Sequence, residues 1–433
     1  MSMSKTWCPL PWIHLATRPN GDIRLCCTAN ASGAGIIDSK SIGLVKSASG
    51  VFNLKSNTIE EIWNSDFMKD VRVQMMHNEI PPSCTKCFEE EANGLTSKRN
   101  WETNVWNDRI DLSEIVNSTA VDGSLPVNIH YFDLRLGNVC QLKCIMCSPH
   151  DSSSWIKDWK QQQPLYTNPE LKNDQHWDNT MDYNWYQNNK LISEIKSQSE
   201  HIRELYFAGG EPLLIPEHYQ ILEFMVETGH SKNCVLRYNS NGLSLSDRLF
   251  ELWESFKEVK FNFSIDAVGG KNDYIRYPST WHTVEQNLRR LDNTSDNVVV
   301  NIACAVQLLN ILYLPELIEW KTRAKFKKIN VMPYGAGLVG LHLVYLPSYL
   351  NVKVLPLNIK KLVTEKISTF IESQTSIDFI NDTYGKQRWE GLLKYMNSED
   401  WSHKLFSTRE YLAITDATRC TNFREVFPEL SNL

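Results

Sequence analysis

The sequence predicts an α/β protein: a partial, six-unit (β/α) barrel, with a small cysteine-rich domain before it and a covering region after it. Three observations carry that expectation. From residue 127 to about 333, short β-branched and aromatic runs alternate with segments whose apolar residues recur at helical spacing. One run alternates strictly, with Val259, Phe261, Phe263 and Ile265 set between Lys260, Asn262, Ser264 and Asp266. The cysteines are clustered, five of the eleven within residues 8–87 and three within residues 140–147.

The predicted barrel strands follow in order. Phe132–Leu136 runs into the Cys140 loop, and Leu205–Ala208 ends at Gly209-Gly210-Glu211-Pro212. Val235–Asn239 closes at Asn241-Gly242, and the alternating strand follows. Val298–Val306 and Lys328–Met332 complete the six. Between them, Ile221, Leu222, Met225 and Val226 mark one helix and Leu249, Leu252, Trp253 and Phe256 a second. Val284, Leu288 and Leu291 mark a third, and Leu314–Phe326 forms a fourth. In the alternating strand the apolar set faces helices and the polar set lines an interior. Filled barrels carry branched apolar side chains inside, so a polar row implies a ligand cavity. A barrel of six strands stays open and needs a ligand and flanking regions to cover the gap.

The boundaries read as a cysteine-rich domain over 1–97, a linker over 98–126, the barrel over 127–333 and a covering C-terminal region over 334–433. Within the last, Val363, Ile367, Phe370 and Ile371 predict a helix. Gln161–Asn189, rich in Asn, Gln and Trp, reads as an insertion rather than core. Cys234, Cys304 and Cys420 read as small buried hydrophobes.

With 42% hydrophobic and 22% charged residues, the chain is an ordinary globular protein able to bury a sizeable core. A net charge of −6 argues against a phosphate-backbone partner, so no nucleic acid is expected. The N-terminus lacks the apolar stretch of a signal peptide. The most apolar stretch, Gly337–Leu357, contains His342, Pro347, Asn351 and Lys353, so no membrane span is expected either. A cytoplasmic location follows. Disulfides seldom persist in a reducing compartment, which leaves metal or iron–sulfur binding as the use of clustered cysteines.

Cys140, Cys144 and Cys147 lie on one loop after a strand, where parallel sheets bind ligands. A cubane iron–sulfur cluster ordinarily takes four thiolates. Three leave one iron without a protein ligand, the mark of a catalytic rather than a closed site. A zinc site that borrows His150 is the alternative reading of the triplet.

The loop is similar to that of the radical S-adenosylmethionine superfamily, whose signature is Cys-x3-Cys-x2-Cys after the first barrel strand. Asn138 also fits, whereas Met146 stands where members usually carry an aromatic residue. Gly209, Gly210, Glu211 and Pro212 resemble the family's Gly-Gly-Glu-Pro motif. The resemblance implies that this backbone and Glu211 meet the methionyl amino group. Ser264 and Asp266, in Ser264-Ile265-Asp266, resemble the segment that contacts the ribose, and Arg276 the arginine that pairs with the methionyl carboxylate. Asn239 or Asn241 is expected to line the same site. The implied chemistry is reductive cleavage of S-adenosylmethionine at a 4Fe–4S cluster. The product, a 5′-deoxyadenosyl radical, takes hydrogen from a peptide, protein, carbohydrate or other small-molecule substrate. An electron donor such as flavodoxin or ferredoxin is implied as a partner.

The N-terminal cysteines form two pairs in sequence. Cys8 and Cys26, the latter five residues after Gly21, precede a helix opened by the capping box Thr58-Ile-Glu-Glu61, and Cys84 and Cys87 follow it. Four thiolates make a closed site, suited to electron transfer or structure, and structural zinc is the alternative occupant. Cys8-Pro-Leu-Pro-Trp12, Asn20-Gly-Asp22, Trp63 and Ile80–Cys87 resemble the SPASM/twitch auxiliary-cluster domain. With these four cysteines and Cys27 the segment resembles the shorter twitch form with one cluster, placed before the barrel instead of after it. Cys27 is an alternative to Cys26 as ligand, and the spacing from Gly21 favours Cys26. The rival to the enzyme reading is a non-catalytic iron–sulfur electron carrier or zinc-bound scaffold.

Overall fold

The structure, a computed structural model, describes residues 4–29, 43–92, 96–172, 181–187, 189–329, 339–375, 379 and 385–433. The chain divides into two compact units. The first comprises Met1–Asn138, Asn179–Tyr238 and Glu251–Val259; the second comprises Val139–Asp178, Asn239–Phe250 and Lys260–Leu433. Among the described residues no helix is long and apolar enough to cross a membrane.

In the first unit, β1 (His14–Thr17) pairs antiparallel with β2 (Ile23–Arg24) through a turn at Gly21. A two-stranded hairpin, β3 (Lys46–Ser47) and β4 (Gly50–Val51), follows. β5 (Tyr131–Arg135) lies parallel to β1, so the cysteine-rich segment contributes a strand to the sheet. β6 (Glu204–Ala208) lies parallel to β5, and β7 (Val235–Ser240) parallel to β6. The order within this unit is β2-β1-β5-β6-β7. Phe132, Leu134, Leu205, Phe207 and Leu236 are buried on one face. Tyr131, Asp133, Glu204, Tyr206 and Arg237 occupy the alternate positions, and so the other face.

In the second unit, β8 (Glu258–Ser264), β9 (Val298–Val306) and β10 (Gly340–Leu343) follow in order, β10 parallel to β9. β8 alternates as its sequence predicts: Val259, Phe261 and Phe263 are buried, and Lys260, Asn262 and Ser264 are partly open. The polar face continues sideways through amides. Asn262 Nδ2 donates to Asn239 Oδ1 at 2.9 Å, and Asn301 Nδ2 to Asn262 Oδ1 at 3.5 Å. The fold class is α/β with parallel strands, and it forms no closed barrel among the described residues.

The structure revises several expectations. A strand parallel to β9 is Gly340–Leu343; of the expected strand Lys328–Met332, the described Lys328 and Ile329 are not in a strand. Lys327, Lys328 and Ile329 give their backbone N–H groups to the Asp292 carboxylate, so those donors are unavailable to a ladder, and residues 330–332 lie outside the described residues. Residues 98–126 hold two helices, Lys98–Asn107 and Leu112–Asn117. Ser97 caps the first, whose Glu102, Val105 and Trp106 are buried on one face. Part of the polar insertion is core: Trp185 and Tyr186 are buried. Trp185 donates to the Pro19 carbonyl at 2.9 Å. Cys234 and Cys304 are buried, but Cys420 is exposed, ending the helix Leu405–Arg419 with φ 55°.

Candidate functional site

The loop after β5 is fixed through its own backbone. The Cys140, Leu142 and Cys144 carbonyls accept from Ser154 Oγ at 2.6 Å, Ser152 Oγ at 2.5 Å and Trp155 Nε1 at 2.9 Å. These three donors stand at or next to the start of the helix Trp155–Gln162. The Ile145 carbonyl accepts from the Tyr411 hydroxyl at 2.6 Å. The Lys143 and Ile145 N–H groups donate to the Tyr277 and Ile275 carbonyls at 2.6 and 2.8 Å. Within the loop, the Leu142 N–H donates to Cys140 Sγ at 3.4 Å.

The three thiols lie near one another on this loop. Cys144 and Cys147 are hydrogen-bonded, and Cys147 lies within electrostatic reach of Cys140 and Asp151. That hydrogen bond pulls the Cys144 thiol below its ordinary range, and Arg276 adds to the effect. The same bond and burial push Cys147 up. Arg276 NH1 lies 3.9 Å from Cys144 Sγ, and its Nε lies 2.8 Å from Asp266 Oδ2. Asp266 Oδ1 accepts from the Ala305 N–H at 2.7 Å. Burial pushes the Asp266 carboxyl up, and Arg276 opposes it. Asn241, which the sequence ranked beside Asn239, donates to Cys140 Sγ at 3.8 Å and exchanges hydrogen bonds with Gln141 at 3.2 Å. Asn239 is exposed and binds Asn262, and Ser264 ends β8 partly open. Trp155 and Tyr411 carry no motif, and only the folded chain brings them to the loop.

Three soft thiolates on a single pinned loop suit an iron–sulfur cluster as donor set. His150, the residue a zinc reading borrows, is buried, and its backbone N–H donates to Ser148 Oγ at 3.2 Å.

The Gly209–Pro212 segment belongs to the first unit. Gly209 has φ 109°, where side chains are strained, and an added Cβ would stand 3.2 Å from the Gly137 carbonyl oxygen. Glu211 is buried, and one carboxylate oxygen accepts from the Leu213 N–H at 3.1 Å, capping the short turn Pro212–Leu214.

The auxiliary site also lies in the first unit. Cys8, Cys26, Cys84 and Cys87 line one cavity together with Lys98 and Arg99. Thr28 Oγ1 stands 3.4 Å from Cys26 Sγ and 3.9 Å from Cys87 Sγ. Burial, with the neighbouring Cys26, pushes Cys84 up to about 12. Burial and Cys84 push Cys8 up as well. Among the described residues no three His, Cys, Asp or Glu side chains close on one point as around a single metal ion. The four thiols ring a cavity instead, a donor set that fits a cluster. Asn53 Nδ2 ties the Asn20-Gly-Asp22 turn by donating to the Asn20 carbonyl at 2.9 Å and Asp22 Oδ1 at 3.0 Å. Gly21, at φ 84°, leaves room for the Trp185 ring, which a Cβ would meet at 2.7 Å.

A three-thiol loop on a parallel α/β fold, accompanied by a four-thiol cavity, defines an iron–sulfur protein of two sites. Comparison with known families agrees. Residues 134–317 match the radical SAM superfamily, and residues 8–88 match SPASM, an iron–sulfur cluster-binding domain. The chain thus carries a radical SAM domain and an iron–sulfur cluster-binding SPASM domain, which make it an S-adenosylmethionine-dependent iron–sulfur enzyme with a 4Fe–4S cluster and an auxiliary cluster. Among solved structures it is similar to SuiB of Streptococcus suis bound to S-adenosylmethionine, at 13% identity and TM-score 0.33, covering 72% of this chain and 60% of that one. SuiB bound to the precursor peptide SuiA matches at 12% identity and TM-score 0.33, over 74% of this chain and 66% of that one. TYW1 with a lysine–pyruvate adduct bound matches at 13% identity and TM-score 0.30, over 55% and 72%. No curated protein matches the chain.

Proposed function

We propose that Cys140, Cys144 and Cys147 hold the catalytic 4Fe–4S cluster and that Cys8, Cys26, Cys84 and Cys87 hold the auxiliary one. The observation that carries this reading is the cysteine loop itself, pinned through its carbonyls by Ser152, Ser154, Trp155 and Tyr411, with three thiols within electrostatic reach of one another. When bound, the cluster and S-adenosylmethionine supply a 5′-deoxyadenosyl radical that abstracts hydrogen from substrate. The protein's own residues bind, orient and exclude competing reactions. Gly209, Gly210 and Pro212 shape a close backbone approach, and Glu211 receives the methionyl amino group. Asp266 fixes Arg276 through Nε, leaving the guanidinium's outer nitrogens for the methionyl carboxylate. Ser264 and Asn239 supply polar contacts from the interior face. The substrate is a peptide, protein, carbohydrate or other small molecule, and reduction comes from a flavodoxin- or ferredoxin-type donor.

Anaerobic reconstitution tests the reading. With dithionite and S-adenosylmethionine the protein should release 5′-deoxyadenosine, and Cys144→Ala should abolish release. No product, or product that survives Cys144→Ala, refutes it. Iron and sulfide should approach two clusters per chain and fall to one in Cys84→Ser. Zinc in place of one cluster would overturn the auxiliary assignment.

A further inference from the structure

The first unit carries a row of charge that neither cluster uses. Strand register sets it out: Arg24 lies opposite Ala16, Ala16 opposite Asp133, Asp133 opposite Tyr206 and Tyr206 opposite Arg237. Residues in register project from the same face, so these side chains form one line across five strands. Arg135 stands two residues beyond Asp133 on the same face, opposite the small Ala208.

Charge in this line does not balance. Glu204 is buried and holds both Arg109 and Arg237, the latter at 2.8 Å. Lys98 pairs with Glu102. Arg24 and Arg135 then share one carboxylate, Asp133, whose Oδ1 stands 3.6 Å from Arg135 Nε and accepts no hydrogen bond. Arg24 Nε, Arg135 Nε and Asp133 Oδ1 are all buried without a hydrogen-bond partner among the described residues. A native interior rarely leaves such atoms unpaired, and an unbalanced buried cation is costlier still. Arg24 and Arg135 lie within electrostatic reach of each other. Cys27, beside Cys26, also lies within reach of both. Ala16, the residue in register between Arg24 and Asp133, carries only a methyl side chain.

We propose that Arg24 and Arg135 form an oxyanion subsite that takes a carboxylate or phosphate group of the substrate, with Asp133 accepting a hydrogen bond from an adjacent hydroxyl or ammonium. Two guanidinium forks match the paired oxygens of either anion. The assignment rests on the reading that the chain binds a substrate for hydrogen abstraction, and it adds that the substrate is anionic.

Calorimetric titration of the full chain, cluster-loaded and saturated with S-adenosylmethionine, tests it with acetate and inorganic phosphate as separate probes. At least one probe should bind at millimolar concentration, acetate alone marking a carboxylate substrate and phosphate alone a phosphorylated one. Arg24→Gln and Arg135→Gln should each weaken that binding about tenfold, as loss of a charged hydrogen bond does. Asp133→Asn should tighten it, a response that a merely structural aspartate would not give. Arg290→Gln, an exposed arginine paired with Asp247, should bind as wild type. If Arg24→Gln does not fold, Arg24→Lys serves, with binding between wild type and Arg135→Gln. Absence of binding below about 100 mM, or equal binding by wild type and both arginine variants, overturns the subsite. Release of 5′-deoxyadenosine by the same wild-type preparation reports separately on the catalytic reading. Release without anion binding defeats only the subsite, and anion binding without release defeats only the catalysis.

Discussion

Asp266→Asn isolates what the ion pair beside the cysteine loop does. The Asp266 side chain is wholly buried and Arg276 is 11% exposed, with Nε and Oδ2 2.8 Å apart. Breaking a buried pair by removing one charge costs roughly 3–5 kcal/mol, because the other charge is left unbalanced. The asparagine carbonyl still accepts from the Ala305 N–H, so about 3 kcal/mol is expected. For a unit of this size that lowers Tm by roughly 6–12 °C. Removing both charges, in Asp266→Asn with Arg276→Gln, leaves no unpaired ion, so the double variant should lose less than the sum of the singles by at least about 1.5 kcal/mol. Anaerobic scanning calorimetry of the cluster-loaded protein measures all four members of the cycle. If Asp266→Asn melts within about 1 °C of wild type while S-adenosylmethionine affinity collapses, the carboxylate is a ligand contact and the ion-pair reasoning is refuted.

Trp155→Phe leaves the Cys144 carbonyl without its indole donor and should cost about 1–3 kcal/mol, with lower iron retention at the cysteine loop on gel filtration. Unchanged stability and iron content would show that the loop is held from elsewhere. Gly21→Ala forces a Cβ to 2.7 Å from the Trp185 ring at φ 84° and should destabilise the first unit by about 1–3 kcal/mol in urea titrations. Burial lowers three imidazoles of that unit, His14 and His130 to about 4 and His218 to about 3. Their folded values lie below the unfolded 6.5, so the stability they allow is full above pH 6.5 and is lost as pH falls toward 4. The slope reaches about 1.4 kcal/mol per pH unit for each, and His218→Gln should remove a third of it. Equal urea midpoints at pH 7.5 and pH 5 would contradict this.

Local chemistry made much of this protein legible in its sequence. Alternation in Glu258–Ser264 identified a strand with one buried and one polar face, because period two is a property of the extended chain itself. The spacing of Cys140, Cys144 and Cys147 placed three thiols on one loop, because near neighbours in sequence share a loop. The capping box at Thr58 was likewise readable, since both partners lie within one turn.

What the tertiary structure alone decided are pairings between residues far apart in the chain. Sequence placed Asp266 and Arg276 against the cofactor; folding pairs them with each other, because a buried carboxylate and guanidinium are costly apart. Asp292 takes the backbone donors of Lys327–Ile329 from 35 or more residues away, and Gly340–Leu343 pairs parallel with β9. Neither Trp155 nor Tyr411 announced a role at the cysteine loop, and no local pattern aligned Arg24 with Asp133 through Ala16. Sequence by itself therefore determined the class of chemistry, which depends on residue type and short spacing. Long-range register and burial decided which charged groups pair with one another.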